Sequence, residues 1–278
     1  MLSLSCCPGA AAGSFRMKTM FMIIILLVPS AALATSIVAV RNSNEIVIGA
    51  DSSTTLTRSD GASEGGMEKC KIVQAGRQET FFASSGLAGI GPAKQPGSIY
   101  PAYDLKGLIA RGLEGGGPVG ARVDSLEKVL VLKLSQIAER ASKDDAGFFV
   151  ERFAGRQLFT VIIAAMDDGR PVLLARTFTL NVSSSGFSFV IGRYACPGDC
   201  RAPSVTVFAG QTGGLRRYLR ENGAIASGAG PVNLVRNLVE FEISRAPASV
   251  GPPVDILRLT GDGAEWIQKK SICPDIRK

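Results

Sequence analysis

A β-hairpin near the amino terminus constrains the fold of this chain more than any other feature. Residues 36–41 and 45–50 are two runs rich in β-branched residues, and three turn-forming residues, 42–44, separate them. Two strands joined by so short a turn pair antiparallel, because a parallel connection needs a long crossover. Further hairpins are predicted over residues 158–180 and 254–269.

The order of the predicted elements indicates how the hairpins pack. Strands alternate with helical patterns along the chain, and the helical patterns lie near residues 102–114, 124–142, 213–222 and 231–245. Two sheets that stack face to face, with helices outside them, would accommodate this order in a single domain. Residues 181–203 are rich in serine and glycine and are predicted to be irregular.

The first 34 residues have the three parts of a secretory signal peptide. Lys18 gives a short positive region, residues 20–28 form an apolar stretch, and residues 29–34 end in the small-residue pattern Ala-Leu-Ala. The apolar stretch is too short to span a bilayer, although an uncleaved membrane anchor is the alternative. We therefore predict a signal peptide over residues 1–34 and one domain over residues 35–278, with no stable membrane anchor after cleavage.

Composition excludes several classes of function. Removing the leader takes away Arg16 and Lys18 and lowers the formal net charge from +7 to +5. The chain has no dense stripe of lysine and arginine, so we do not expect nucleic acid as a partner. It also has no histidine, which rules out Ser-His-Asp catalysis, the HExxH zinc site and an imidazole general base. A hydrolase of this composition must take its base from another group.

Four cysteines remain after the leader is removed. An even number of cysteines in an exported protein favours disulfides. Cys196 and Cys200 are close enough in sequence to close a small loop, which would leave Cys70 to pair with Cys273. The alternative is a zinc site, but the chain lacks a histidine and a second close cysteine pair to support one.

Thr35 would become the amino terminus of the mature chain. A hydroxyl is a weak nucleophile and needs a base to activate it. A terminal threonine carries its own base, an α-amine with a reference pKa of about 7.7–8.0. The alternative is that Thr35 is only a small polar residue tolerated after the cleavage site.

The hairpin predicts a carboxylate close to this amine. Thr35 and Asp51 lie at equal distances in sequence from Ser43, the centre of the predicted turn, and would face each other across the two strands. A lysine between them would lower the pKa of the amine, while the carboxylate holds the lysine in place. Lys69 and Lys71, on the next predicted strand, project to one face.

Four segments of the chain resemble a known family. The chain is similar to the proteasome β-subunit in four segments: TSIVAV, GADSSTT, a lysine followed by apolar residues, and a strand ending in ASSG. They also resemble the peptidase subunit of the bacterial two-component ATP-dependent protease. Both are N-terminal nucleophile hydrolases, so the resemblance implies an α+β fold, a four-layer αββα sandwich, over nearly all of residues 35–278.

The resemblance also implies roles for individual residues. Thr35 matches the nucleophile, Asp51 the catalytic aspartate and Lys71 the catalytic lysine, with Lys69 as the alternative. The backbone N–H near Gly86 matches part of the oxyanion hole.

Two further residues, Thr55 and Ser85, match substrate-binding positions of the family.

The chain departs from the family at residues 210–212, where the proteasome has Gly-Ser-Gly, and at residues 247–252. The mechanism implied by the family requires no cofactor and no metal.

The expected function is that of an exported threonine peptidase, periplasmic or secreted. A small-molecule amidase or acylase on the same fold and a non-catalytic scaffold or binding protein are the alternatives. Family precedent implies a homo-oligomer. We do not expect an ATPase partner, because ATP is scarce outside the cytoplasm.

N-terminal sequencing of the exported protein tests the expectation on which this mechanism depends. Because the leader ends in small residues before Thr35, the mature chain is expected to begin Thr-Ser-Ile-Val. A mature chain that begins at any other residue would leave Thr35 without a free amine and contradict the mechanism.

Overall fold

Two large β-sheets, two short two-stranded sheets and helices packed on the large sheets make up the part of the chain that the structure describes. A computed structural model describes residues 22–24, 35–57, 63–76, 79–86, 89–90, 103–144, 147, 150, 153–184, 186–200, 202–222, 230–247 and 249–277. In chain order the strands are β1 (Met22–Ile24), β2 (Ser36–Arg41), β3 (Glu45–Ala50), β4 (Ser53–Thr57), β5 (Ser63–Glu68), β6 (Ile72–Gln74), β7 (Thr80–Gly86), β8 (Gly89–Ile90), β9 (Tyr103–Asp104), β10 (Gln157–Asp167), β11 (Arg170–Ser183), β12 (Gly186–Cys196), β13 (Val205–Gly210), β14 (Asp255–Thr260) and β15 (Gly263–Gln268). The helices are α1 (Leu105–Leu113), α2 (Val119–Asp144), α3 (Gly213–Asn222) and α4 (Gly230–Arg245).

The first sheet has the strand order β1-β13-β2-β3-β14-β15. Five of these strands are antiparallel, and the short β1 adds a parallel pairing at the edge of β13. The second sheet has the order β12-β11-β10-β7-β6 and is antiparallel throughout. The two short sheets are β4–β5 and β8–β9. The predicted hairpins β2–β3, β10–β11 and β14–β15 all form.

The strands β2 and β3 are buried on both faces, which explains why each is a nearly continuous apolar run. Ile37 and Ile48 contribute to the core between the two sheets, together with Phe81 of the second sheet. Val38 and Val47 lie in a different apolar cluster, on the opposite face of the first sheet. These two strands therefore lie at the centre of the structure, with the candidate nucleophile directly before β2.

The helices contact the surfaces of the sheets that face away from this core. Buried leucines of α2, including Leu126 and Leu130, pack with α1 and with residues of β7 and β10. α4 packs along β2, β3 and β14, whereas α3 packs mainly on α4. Among the described residues, no helix is both long and apolar enough to cross a membrane.

The predicted fold class, an α+β four-layer αββα sandwich, is wrong. Among the described residues the protein is mainly β, with one sheet of five antiparallel strands extended by the short parallel β1, a second sheet of five antiparallel strands, and four helices. One cause of the error is the stretch 181–203, which was expected to be irregular but contains the end of β11 and the 11-residue strand β12. In β12 the half-buried residues Phe187, Phe189 and Ile191 alternate with the exposed residues Ser188 and Val190, a pattern typical of a strand with one covered face.

The helix boundaries follow the sequence patterns with one clear difference. α3 begins and ends as predicted, but α2 begins at Val119, five residues earlier than expected. Pro118 precedes the first helical residue, a position where its missing N–H is not needed. Asp167 accepts a hydrogen bond from the N–H of Val119 at 3.2 Å and so satisfies one free donor of the helix end.

Most of the predicted signal peptide, residues 1–34, lies outside the described residues. The described part is β1, whose register pairs Met22 with Val205 and Ile24 with Val207.

A network of ion pairs joins α2 to the second sheet. Arg176 of β11 is buried, and it contacts Asp124 and Glu127 of α2, each at 2.8 Å. Glu127 also binds Arg193 of β12 at 2.5 Å. Glu127 therefore balances the charge of a buried guanidinium.

Replacing Glu127 with alanine is expected to lower the free energy of unfolding by about 3–5 kcal/mol, because Arg176 would lose a carboxylate partner while buried. Urea denaturation followed by circular dichroism measures this change. Glu221→Ala is the control, since it removes an exposed pair with Arg217 within α3 and should leave stability unchanged. Equal stability of the two variants would contradict the role given to Glu127.

Candidate active site

A buried carboxylate, that of Asp51, lies at the end of β3 and connects the elements around Thr35. One carboxylate oxygen accepts hydrogen bonds from the backbone N–H of Ser36 at 2.8 Å and from the ammonium of Lys71 at 2.6 Å. The other accepts from the backbone N–H of Ser53 at 3.0 Å and of Gly251 at 3.1 Å. These four contacts offset the cost of burying a charged group.

The register of the β2–β3 hairpin places Asp51 opposite Ser36 rather than Thr35. Ile37 pairs with Ala50, and the N–H of Asp51 donates to the carbonyl oxygen of Ser36 at 3.2 Å. The predicted register, which paired Thr35 with Asp51, is therefore wrong by one residue.

The side chain of Asn42 explains this shift. Its amide oxygen accepts hydrogen bonds from the N–H groups of Asn44 and Glu45, at 2.8 and 2.9 Å. These contacts close a turn with two central residues instead of three. Each residue of β2 therefore faces a residue of β3 that is one position later than predicted. Thr35 lies one residue beyond the pair that contains Asp51.

Lys71, and not Lys69, is the lysine bound to Asp51. Its ammonium also donates to the carbonyl oxygen of Ser53 at 2.5 Å, and only 3% of the residue is exposed. Burial lowers the pKa of Lys71 to about 8, although the charge of Asp51 opposes this change. Lys270 and Lys106 lower the pKa of Lys71 further through charge repulsion.

The backbone of Thr35 is held by the end of β13. The N–H of Gln211 donates to the carbonyl oxygen of Thr35 at 2.5 Å. Gly210 has a φ of +82°, and a Cβ built there would collide with that same carbonyl oxygen. Only glycine allows this close approach without strain.

Ser85 and Gly86, at the end of β7, lie next to this contact. A Cβ at Gly210 would lie 3.2 Å from the Cβ of Ser85, so Thr35, Gly210 and Ser85 meet in one place. The hydroxyl of Ser85 is buried and has no hydrogen-bond partner among the described residues. Gly86 has a φ of +94°, and a side chain there would collide with the carbonyl of Leu158.

Thr55, the other predicted substrate-binding residue, lies in β4, the strand that follows Asp51. It falls between the pairs Thr54–Met67 and Leu56–Glu64, where the register of the β4–β5 ribbon shifts. β4 begins at Ser53, which contacts both Asp51 and Lys71.

Sequence reasoning missed several backbone groups of this site. Gly251 donates to Asp51 from the segment before β14, and Ser53 contributes both its N–H and its carbonyl oxygen. Backbone groups carry no residue-specific signal, so only the three-dimensional structure identifies them. Gly210 did carry a signal, since a glycine that ends an apolar strand often marks a close approach of two backbones.

Both predicted disulfides are present, Cys70–Cys273 and Cys196–Cys200. They fit a protein located outside the cytoplasm.

Cys70, Asp255 and Cys273 hold potential metal-ligand atoms within 4.8 Å of one another. Because the two sulfur atoms are joined in a disulfide, they do not offer the thiolates that a metal site would need.

Comparison of the chain with protein-family models gives no match, and comparison with curated proteins gives none either. The resemblance to proteasome β-subunits therefore stays a prediction from the sequence.

Among the described residues, the structure predicts that two lysines titrate at unusually low pH. Burial lowers the pKa of both Lys71 and Lys106 to about 8. NMR of protein with carbon-13 at the lysine Cε should show two signals that titrate near pH 8, one lost in Lys71→Met and the other in Lys106→Met. The absence of any lysine that titrates near pH 8 would contradict the buried site.

The lowered pKa of Lys71 also makes the stability of the protein depend on pH. The folded-state pKa of Lys71 lies below its ordinary value of 10.5, so unfolding takes up a proton between about pH 8 and 10.5. The contribution of Lys71 to stability should therefore rise with pH across this window, and it should be absent in Lys71→Met.

Proposed function

We propose that the mature chain is an exported hydrolase, periplasmic or secreted, that uses Thr35 as an N-terminal nucleophile to cleave peptide or other amide bonds. The observation that carries this proposal is the buried pair of Lys71 and Asp51 beside the start of β2. Asp51 binds the N–H of Ser36, so the pair lies one residue from Thr35.

The reaction begins with attack of the Thr35 hydroxyl oxygen on the substrate carbonyl carbon. The hydroxyl proton passes to the α-amine of Thr35, directly or through a water, and the carbonyl electron pair moves to the oxygen. The backbone N–H near Gly86 donates to this oxyanion. The intermediate then expels the leaving amine, which takes the proton, and an ester on Thr35 remains.

Water completes the cycle by attacking the ester. The same α-amine takes a proton from this water and returns it to the threonine oxygen when the ester bond breaks. The substrate leaves as a carboxylic acid, and Thr35 is restored.

Lys71 tunes the base in this scheme. A positive charge close to the α-amine lowers the pKa of that amine and increases its neutral fraction. Asp51 keeps Lys71 in place, and its two oxygens already accept four hydrogen bonds. This occupancy reduces the tendency of Asp51 to pair with the amine and keep it protonated.

Covalent labelling tests the proposed nucleophile. A fluorescent peptide epoxyketone reacts with both a hydroxyl and a neighbouring α-amine, and it should modify the mature protein at Thr35, as tandem mass spectrometry would show. Thr35→Ala should abolish the labelling while the protein stays folded. Modification of a different residue, or none at all, would contradict the proposal.

Removal of the lysine tests the proposed base. Lys71→Met should slow the labelling by about a hundredfold, because the amine becomes harder to deprotonate. Lys128→Met is the matched control, since Lys128 is an exposed lysine of α2 and its loss should leave the rate unchanged.

A comparison of the turnover of fluorogenic peptides with that of small N-acyl amides then separates a peptidase from a small-molecule amidase.

A further inference from the structure

The C-terminal segment, residues 269–277, contacts the short stretch of chain that carries Lys71. Cys273 forms a disulfide with Cys70, the residue directly before Lys71. The ammonium of Lys270 donates to the carbonyl oxygen of Lys69 at 2.7 Å. Two residues of the chain next to Lys71 are therefore fixed by the C-terminal segment.

The same segment also contacts the chain after Lys71. The N–H of Arg277 donates to the side-chain oxygen of Gln74 at 2.7 Å. The side-chain nitrogen of Gln74 in turn donates to the carbonyl oxygen of Arg277 at 2.8 Å. The contacts of the C-terminal segment thus lie on both sides of Lys71.

Strand pairing alone gives Lys71 little support. β6 has three residues, is the last strand of the second sheet, and pairs with β7 only from Ile72 to Gln74. Lys71 precedes this pairing. Its position therefore also depends on what holds Lys69 and Cys70. Besides the C-terminal segment, these contacts include the carbonyl oxygen of Ser52, which accepts from the N–H of Lys69, and the ammonium of Lys106, which donates to the carbonyl oxygen of Cys70.

Lys270 is itself fixed by a buried ion pair. It contacts Asp255 at 2.7 Å, and neither side chain is exposed. The backbone N–H of Lys270 donates to the other oxygen of Asp255 at 3.0 Å. Asp255 pairs with Ala50 in the β3–β14 ladder, directly before Asp51. Two buried lysine–aspartate pairs therefore lie side by side, one in the site and one in the C-terminal segment.

We propose that the C-terminal segment positions Lys71 for the reaction of Thr35, with Lys270 and the Cys70–Cys273 disulfide as its positioning groups. This inference rests on the proposed function. It makes the closed disulfide a condition for the full reaction rate, in addition to cleavage before Thr35. A dithiol that reduces the disulfide supplies two electrons and two protons, leaves two thiols and becomes a disulfide itself.

The two disulfides of the chain provide a matched test. Mature protein with Cys70→Ser and Cys273→Ser should react with the fluorescent epoxyketone at least about tenfold more slowly at saturating probe, because Lys71 is misplaced. The probe concentration at half-saturation should not change. The control is Cys196→Ser with Cys200→Ser, which removes the other disulfide and should leave the rate unchanged.

The control disulfide is distant from the site. Cys200 lies near Arg41 at the far end of β2, and the six residues of this strand separate Arg41 from Thr35 by roughly 20 Å. Circular dichroism of all variants establishes that they are folded. Equal rates for the two disulfide variants would overturn the inference.

Lys270 provides a test that leaves the disulfide intact. Lys270→Gln should slow the labelling, and Lys270→Arg should recover part of the rate, because arginine can still bind the carbonyl of Lys69 and the carboxylate of Asp255. If the cysteine variant does not fold, this pair of variants decides the question. Unchanged labelling in Lys270→Gln would overturn the role of Lys270.

The carbon-13 titration of Lys71 separates failure of this inference from failure of the proposed function. The charges of Asp51, Lys270 and Lys106 all act on the pKa of its ammonium. Opening Cys70–Cys273 should release Lys71 toward solvent and raise its titration above pH 8, whether or not Thr35 reacts with the probe. If the titration of Lys71 stays at the same pH when Cys70–Cys273 is opened, the positioning role is overturned. If the titration shifts but the epoxyketone labels no form of the mature protein, only the proposed hydrolase is overturned.

Discussion

The hydrogen bonds to the buried carboxylate of Asp51 hold the rest of the site together. They join the start of β2, the start of β4, Lys71 and the segment before β14, four parts of the chain that are distant in sequence. A buried carboxylate must be paired and hydrogen-bonded, so these segments cannot separate without a large cost in free energy. The candidate nucleophile lies one residue from this centre, and its position follows from the same contacts.

Local sequence patterns indicated part of the candidate site. The hairpin β2–β3 pointed to Asp51, whereas the next strand offered both Lys69 and Lys71, and only the family resemblance favoured Lys71, the lysine that contacts Asp51 in the structure. Counting cysteines led to both disulfides. The register was predicted less accurately, because it depends on hydrogen bonds of Asn42 that shorten the turn. Such a contact changes the pairing by one residue without changing the apolar pattern of either strand.

Long-range contacts account for what the sequence could not predict. The strand β12 lies within residues 181–203, a stretch predicted to be irregular because of its serines and glycines, and it is ordered by pairing with β11 and packing against α2. This pairing contributes to the mainly β character that replaces the predicted αββα sandwich. The contacts of Lys270 and Gly251 join residues roughly 200 positions apart. The sequence around either residue does not indicate which distant residue it contacts.

The most direct test of the central claim compares two forms of the mature protein that differ by one residue. One form begins at Thr35, and the other retains Ala34, which converts the α-amine of Thr35 into an amide that cannot accept a proton. The measurement is the rate at which each form reacts with the fluorescent epoxyketone near neutral pH. The account predicts labelling of the form that begins at Thr35 and a rate at least about a hundredfold lower for the form with Ala34. Equal rates would contradict the use of the terminal amine as the base.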